Sequence, residues 1–312
     1  MRIANNILEA VGSTPLVRLN RVTEGLKREI YAKVEGLNPG GSIKIRTALN
    51  MIEDAERRGA LKPDSIIIEF SSGNQGIGLS LVAAVKGYKC TIVMPEIMSD
   101  ERKNTMRAFG TELILTPSGK DIADTFAKAE AKVKELIESD SRYFLANQFV
   151  NPANSNAHYN GTATEIINQL GDIIPIAFVS SFGTGGTITG ISKKLRETYK
   201  DIKVCLAEPD EANILAGCQD LGCHGQQGIG DGFIPELLDL NCYDDLISIS
   251  DKQAYEMAQK LASLEGLFCG ISSGTNVTAA IEYAKQLPEG SVVITILPDL
   301  GERYVSVKDL YS

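Results

Sequence analysis

The chain has 312 residues, 43% of them apolar and 23% charged, with a net charge of −9. That is an ordinary globular composition, long enough for one or two domains with sizeable cores. The acidic balance argues against a nucleic-acid partner, which needs a basic face, and no apolar run reaches the length of a membrane span.

The opening "MRIANNILEAVGSTPLV" lacks the charged, apolar, small-residue order of a signal peptide, so a cytoplasmic protein is expected. Short apolar runs then alternate with longer amphipathic ones. Strands are predicted at 29–35, 65–70, 90–95, 112–116, 176–181, 203–209, 246–250 and 291–298, several nearly all apolar, as strands buried on both faces should be. Helical patterns lie between them, as at 123–139 and 252–266. This alternation predicts an α/β protein of two lobes, each a largely parallel sheet flanked by helices, with the ligand in the cleft between them.

Four stretches stand out along the chain. "NPGGSIKIRTALNMI" (38–52) puts Lys44 at a helix start after two glycines and a serine. Alone it reads best as a solvated side chain, with a lysine held for chemistry as the other reading. "SSGNQGIG" (71–78) follows a predicted strand and opens a helix, which makes either an anion site or a capped helix with glycines for close packing. "SFGTGGTITG" (181–190) lets backbone approach a tetrahedral dianion, with hydroxyls from Thr184 and Thr187. It is neither a P-loop nor a dinucleotide fingerprint, so a compact phosphate fits better than a nucleotide. "CGISSGTN" (269–276) opens another helix, and capping is the favoured reading of Ser272 there. Six cysteines, at 90, 205, 218, 223, 242 and 269, include no Cys-x-x-Cys pair. His224 beside Cys223 raises a metal question, but four-ligand spacing is missing; buried free thiols and no metal are expected.

A lysine, a phosphate loop and a third polar loop match the aldehyde, phosphate and ring nitrogen of pyridoxal phosphate. With "GSTPLVRLN" (12–20), "NPGGSIKIR" (38–46), "SSGNQGIGL", "GTGGTITG" (183–190), "GIGDGFIP" (228–235), "GISSG" (270–274) and "LPDLGERY" (297–304) in order, the whole chain resembles the cysteine synthase family. That family comprises O-acetylserine sulfhydrylases and cystathionine β-synthases, of the tryptophan-synthase-β type. The resemblance implies a larger cofactor-binding domain (1–40 with 148–312) and a smaller mobile one (41–147). It makes Lys44 the Schiff-base lysine and proton carrier, with Asn74 on the ring hydroxyl. Gly183, Thr184, Gly185, Gly186 and Thr187 would hold the phosphate, and Ser272 would meet the pyridine nitrogen. Ser71, Ser72, Asn74, Gln75 and Gln148 would receive the substrate carboxylate. The implied reaction is β-replacement through an α-aminoacrylate, in a homodimer whose partners are an amino-acid substrate and sulfide or another small nucleophile.

Two departures bear on the chemistry. Gln75 stands where the family commonly has threonine, and Asp231 where many cysteine synthases have alanine. Asp231 is either a surface or capping residue or a base for an incoming water or thiol. "TATEI" (162–166) and Ile45 also depart, with no consequence that follows from the residues. The leading expectation is cysteine synthesis from O-acetylserine and sulfide. The alternative is a cysteine lyase releasing hydrogen sulfide, with Asp231 as base. A catalytically silent regulatory homologue is the third reading, and intact Lys44, Asn74 and Ser272 argue against it. The chain ends soon after "GERY", so a regulatory C-terminal module is not expected.

Overall fold

A computed structural model describes residues 3–71, 73–120, 122–217, 224–308, 310 and 311. In chain order the strands are β1 (Leu16–Leu19), β2 (Glu29–Val34), β3 (Ile66–Phe70), β4 (Lys89–Pro95), β5 (Glu112–Thr116), β6 (Tyr143–Leu145), β7 (Ala177–Ser181), β8 (Lys203–Pro209), β9 (Asp245–Ile249) and β10 (Val292–Leu297). The helices are α1 (Lys44–Arg57), α2 (Asn74–Lys86), α3 (Asp100–Ala108), α4 (Ile122–Ser139), α5 (Pro152–Ala157), α6 (Ala163–Leu170), α7 (Gly186–Thr198), α8 (Asp251–Glu265) and α9 (Ile271–Ala284). A π-helical turn, His158–Thr162, joins α5 to α6. The chain is thus α/β, with two largely parallel sheets flanked by helices.

It divides into two compact units, Met1–Val11 with Asn38–Asn154, and Gly12–Leu37 with Ser155–Ser312. The expected 41–147 segment lies inside the first unit. Residues 38–40 and 148–154, expected in the larger domain, also fall in the first unit, as do residues up to Val11, whose Leu8 is buried in that unit's apolar core.

The first unit carries a four-stranded parallel sheet, β5-β4-β3-β6. β3 is "IIIEF", buried throughout, and its pleat sends alternate side chains to opposite faces. Ile67 joins Ile45, Met51, Ile52, Ile77 and Met106 from α1, α2 and α3. Ile68 and Phe70 face Ala129 and Val133 of α4, where Phe70 meets Phe126 edge-on at 5.2 Å. Glu69 is the one polar residue of the strand.

The second unit carries a six-stranded sheet, β1-β2-β10-β7-β8-β9, parallel except for the β1–β2 pair. Ala177 and Val179 pack with Ala254, Ala258, Val277 and Ala280 of α8 and α9. Phe178, on the opposite face of β7, is equally buried. Ser250 opens α8 with a capping box to Gln253, and Gly266 ends it in the left-handed region.

Among the described residues no helix is long and apolar enough to cross a membrane, and no cluster of three metal-ligating side chains occurs. Among the described residues His224 bonds the Gly230 carbonyl and the Gln226 N–H. Cys90, Cys205, Cys242 and Cys269 are free and buried, and burial pushes their thiols up to about 12, 12, 11 and 12. Cys218 and Cys223 lie outside the described residues.

Candidate active site

In the first unit the "NPGG" turn aims the start of α1. Gly40 and Gly41 both adopt left-handed backbone, at φ 76 and 68, which a side chain would resist. The Ser42 hydroxyl then accepts from the Lys44 N–H at 3.3 Å, and Lys44 opens α1 half-buried. Gly78 of α2 lets the two helices meet closely: a Cβ there would stand 3.0 Å from the Lys44 carbonyl oxygen.

The loop after β3 uses its side chains. Ser71 is buried, and its hydroxyl oxygen accepts from the N–H groups of Gly73 (3.3 Å) and Gly76 (2.9 Å). Capping of α2 is therefore part of Ser71's role. Asn74 is the first residue of α2. Gln75 is only 2% exposed, and its Oε1 accepts from the Thr47 hydroxyl at 2.7 Å. The same hydroxyl lies 2.8 Å from the Lys44 carbonyl, so its single proton is shared between two acceptors, and Gln75 is tied to the lysine's turn of α1. The Gln75 Nε2 is buried with no hydrogen-bond partner among the described residues. An orphaned buried amide costs ~1–3 kcal/mol, and a bound carboxylate would satisfy it. Gln148 comes to the same loop: its side-chain amide donates to the Phe70 carbonyl at 3.4 Å. Ser72, expected to join this group, lies outside the described residues.

Arg102 was not foreseen from the sequence. It is 7% exposed and lies under the loop, its Nε 3.3 Å from where a Gly73 Cβ would stand. The only signal was a basic residue in a polar helix, "DERKNTMRA", which periodicity alone reads as solvated.

In the second unit the loop after β7 uses its backbone. A Cβ on Gly183 would collide with the Gly228 carbonyl oxygen. Gly185 has φ +80, and a Cβ there would stand 2.7 Å from Leu238 Cα. Neither position admits a side chain, so the loop can turn its N–H groups toward a ligand at the α7 N-terminus. The Thr184 hydroxyl accepts from Gly186 N–H at 3.4 Å. Thr187 bonds His158 Nε2 at 3.3 Å, and the other ring nitrogen bonds Thr162 at 3.1 Å. His158 is fully buried, in the π-helical turn; sequence reading missed it because the residue that uses it is 29 positions away.

Ser272 sits in the first turn of α9, but the N-cap is Gly270, which has no side chain to cap with. The capping expectation for Ser272 is corrected: its hydroxyl is not spent on the helix end. Beneath it, Asp299 is 1% exposed and accepts from the Tyr304 hydroxyl at 2.6 Å. A Cβ on Gly270 would collide with the Asp299 carboxyl, so "LPDLGERY" packs directly under the α9 start. Asp231 lies half-buried on the loop that supplies Gly228 to Gly183. His224 Nδ1 accepts from Gln226 N–H at 3.2 Å, so Nε2 carries the proton and donates to the Gly230 carbonyl at 2.8 Å. That fixes the chain one residue before Asp231.

Two strand–glycine loop–helix junctions, one with an orphan amide donor and one with a cradle no side chain can enter, suit an amino-acid carboxylate and a phosphate. They define a cofactor enzyme of the pyridoxal-phosphate class. A family model described as "Pyridoxal-phosphate dependent enzyme" matches residues 7–299, and the chain belongs to that family. It is 44% identical over 308 residues to a cysteine synthase of Staphylococcus aureus, covering 99% of this chain and 97% of that one. The crystal structure of the cysteine synthase of Entamoeba histolytica is similar at 42% identity and TM-score 0.93, over 99% and 91% of the two chains. That of a hydrogen sulfide-producing enzyme from Fusobacterium nucleatum is similar at 40% identity and TM-score 0.90, over 97% and 100%.

Proposed function

We propose that this enzyme makes cysteine from O-acetylserine and sulfide by β-replacement. What supports the reading is the likeness to cysteine synthases over nearly the whole chain; the buried Gln75 amide, tied through Thr47 to the turn that bears Lys44, offers a donor for the amino acid's carboxylate. Pyridoxal phosphate, when bound, supplies an aldehyde that captures amines and a ring that acidifies the α-carbon. Lys44 would be the covalent anchor and would take and return the α-proton. The loop 183–187 would hold the phosphate by backbone N–H groups, helped by the α7 dipole and by Thr187 oriented by His158. Asn74 would bond the ring hydroxyl. Ser272 would face the ring nitrogen with a neutral hydroxyl, which favours prompt loss of a β-substituent over storage of charge. Ser71, Asn74, Gln75 and Gln148 would receive the substrate carboxylate and exclude water from the reacting carbon. Residues 41–147 would form the mobile part, and the whole would act as a cytoplasmic homodimer.

A second reading is a lyase that releases hydrogen sulfide from cysteine, with Asp231 as the base. What favours it is the placement of Asp231 on the loop that packs against Gly183, together with the likeness to the Fusobacterium enzyme.

Purified protein should show an absorbance band near the visible–ultraviolet boundary, lost in Lys44→Ala. No band even with added cofactor defeats both readings and leaves a silent homologue. Cysteine formed from O-acetylserine and sulfide, compared with sulfide released from cysteine alone, decides the direction. Cysteine breakdown unchanged in Asp231→Ala removes the base role.

A further inference from the structure

β3 would be wholly apolar but for Glu69, which is 3% exposed and stands two residues before Ser71. A buried carboxyl is costly unless it is hydrogen-bonded. Its partners are backbone N–H groups: that of Gln148, 3.0 Å from Oε2, and those of Phe70 and Asn147. The local chain path explains the arrangement. β6 pairs with β3 as far as Leu145, and Ala146 N–H still bonds the Ile68 carbonyl at 3.2 Å. Asn147 then turns left-handed, at φ 58, and the ladder ends. The next N–H groups turn to the Glu69 carboxyl instead of to a strand. Gln148 is consequently held at three points: its N–H by Glu69, its amide by the Phe70 carbonyl, and its carbonyl by the Asn154 amide at 2.7 Å.

We propose that Glu69 is a positioning residue that clamps the Asn147–Gln148 backbone and so presents Gln148, preorganised, to the substrate carboxylate. This rests on the reading of Gln148 as a carboxylate-binding residue. Burial pushes the Glu69 carboxyl up to about 8, against the pull of the N–H groups it accepts from, which favours a neutral acceptor that does not repel the substrate's own carboxylate. At neutral pH glutamine is then its near-isostere, whereas aspartate withdraws the oxygens by one methylene.

The test compares cofactor-loaded wild type, Glu69→Gln and Glu69→Asp. It measures amide hydrogen exchange over residues 146–150 and L-serine affinity from the cofactor absorbance. Glu69→Asp should speed exchange at Gln148 and weaken L-serine binding, each about tenfold, with the cofactor band intact. Glu69→Gln should stay within about threefold of wild type in both. Unchanged exchange and affinity in Glu69→Asp overturn the proposal. So does faster exchange with unchanged affinity, which would leave Glu69 a strut. A Glu69→Gln enzyme as impaired as Glu69→Asp overturns it as well. A wild type without a cofactor band, or indifferent to L-serine, defeats the proposed function instead, and exchange at Gln148 then decides the clamp itself.

Discussion

The loops after β3 and after β7 have the same plan, a buried strand, a glycine-rich turn and a helix, yet they present different chemistry. The first works through side chains: Ser71 occupies two of its N–H groups, Gln75 leaves an amide donor orphaned, and Arg102 lies underneath. The second works through backbone, because Gly183 and Gly185 have no room for a Cβ. A loop built on side chains can be retuned by one substitution without breaking the fold. A loop built on absent side chains cannot. The departure at Gln75 falls in the retunable loop, which is where a change of substrate preference would be expected.

Three substitutions put that contrast at risk. Gly183→Ala should have the largest effect. Its Cβ meets a carbonyl oxygen, so cofactor affinity should fall at least about a hundredfold, with a loss of about 1–3 kcal/mol of stability from overpacking. Cofactor titration and thermal melting check both, and a well-tolerated alanine would break the comparison. Gln75→Ala should be milder and of another kind: KM for the amino-acid substrate up about tenfold, with cofactor affinity unchanged. Steady-state kinetics beside a cofactor titration would sharpen the division of labour, and a Gln75 variant that loses cofactor would blur it.

The remaining effect concerns the support of the first loop and is read as a slope in pH. The Glu69 carboxyl titrates near 8 when folded against an ordinary value of 4.5. Between those values the unfolded chain has already released the proton, so stability falls as pH rises, by at most ~1.4 kcal/mol per pH unit. Denaturant unfolding at several pH values should show this decline in wild type and its absence in Glu69→Gln. Parallel declines in both proteins would assign the slope to other groups.

Eight strands and the general α/β alternation were legible from local pattern, since apolar runs such as "SIIIEF" and "SVVITILP" suit strands covered on both faces. β1 and β6 were not, because four and three residues are too few to display a period. The bulk of the residues now placed around the two loops were likewise legible as motifs, and Lys44, Asn74 and Gln75 stand at the helix starts the motifs implied. What each neighbour does was not. Ser272 read best as a cap, and only the backbone at Gly270 shows that α9 needs none from it.

By itself, then, the sequence determined the order of strands and helices, the glycine turns and the family, all set by residues close along the chain. Tertiary structure alone decided that Glu69 meets Gln148 across 79 positions, that His158 serves Thr187 across 29, and that Gly183 faces Gly228. Periodicity and turn chemistry act over a few bonds, whereas the partner of a buried polar group is whichever donor or acceptor packing brings to it.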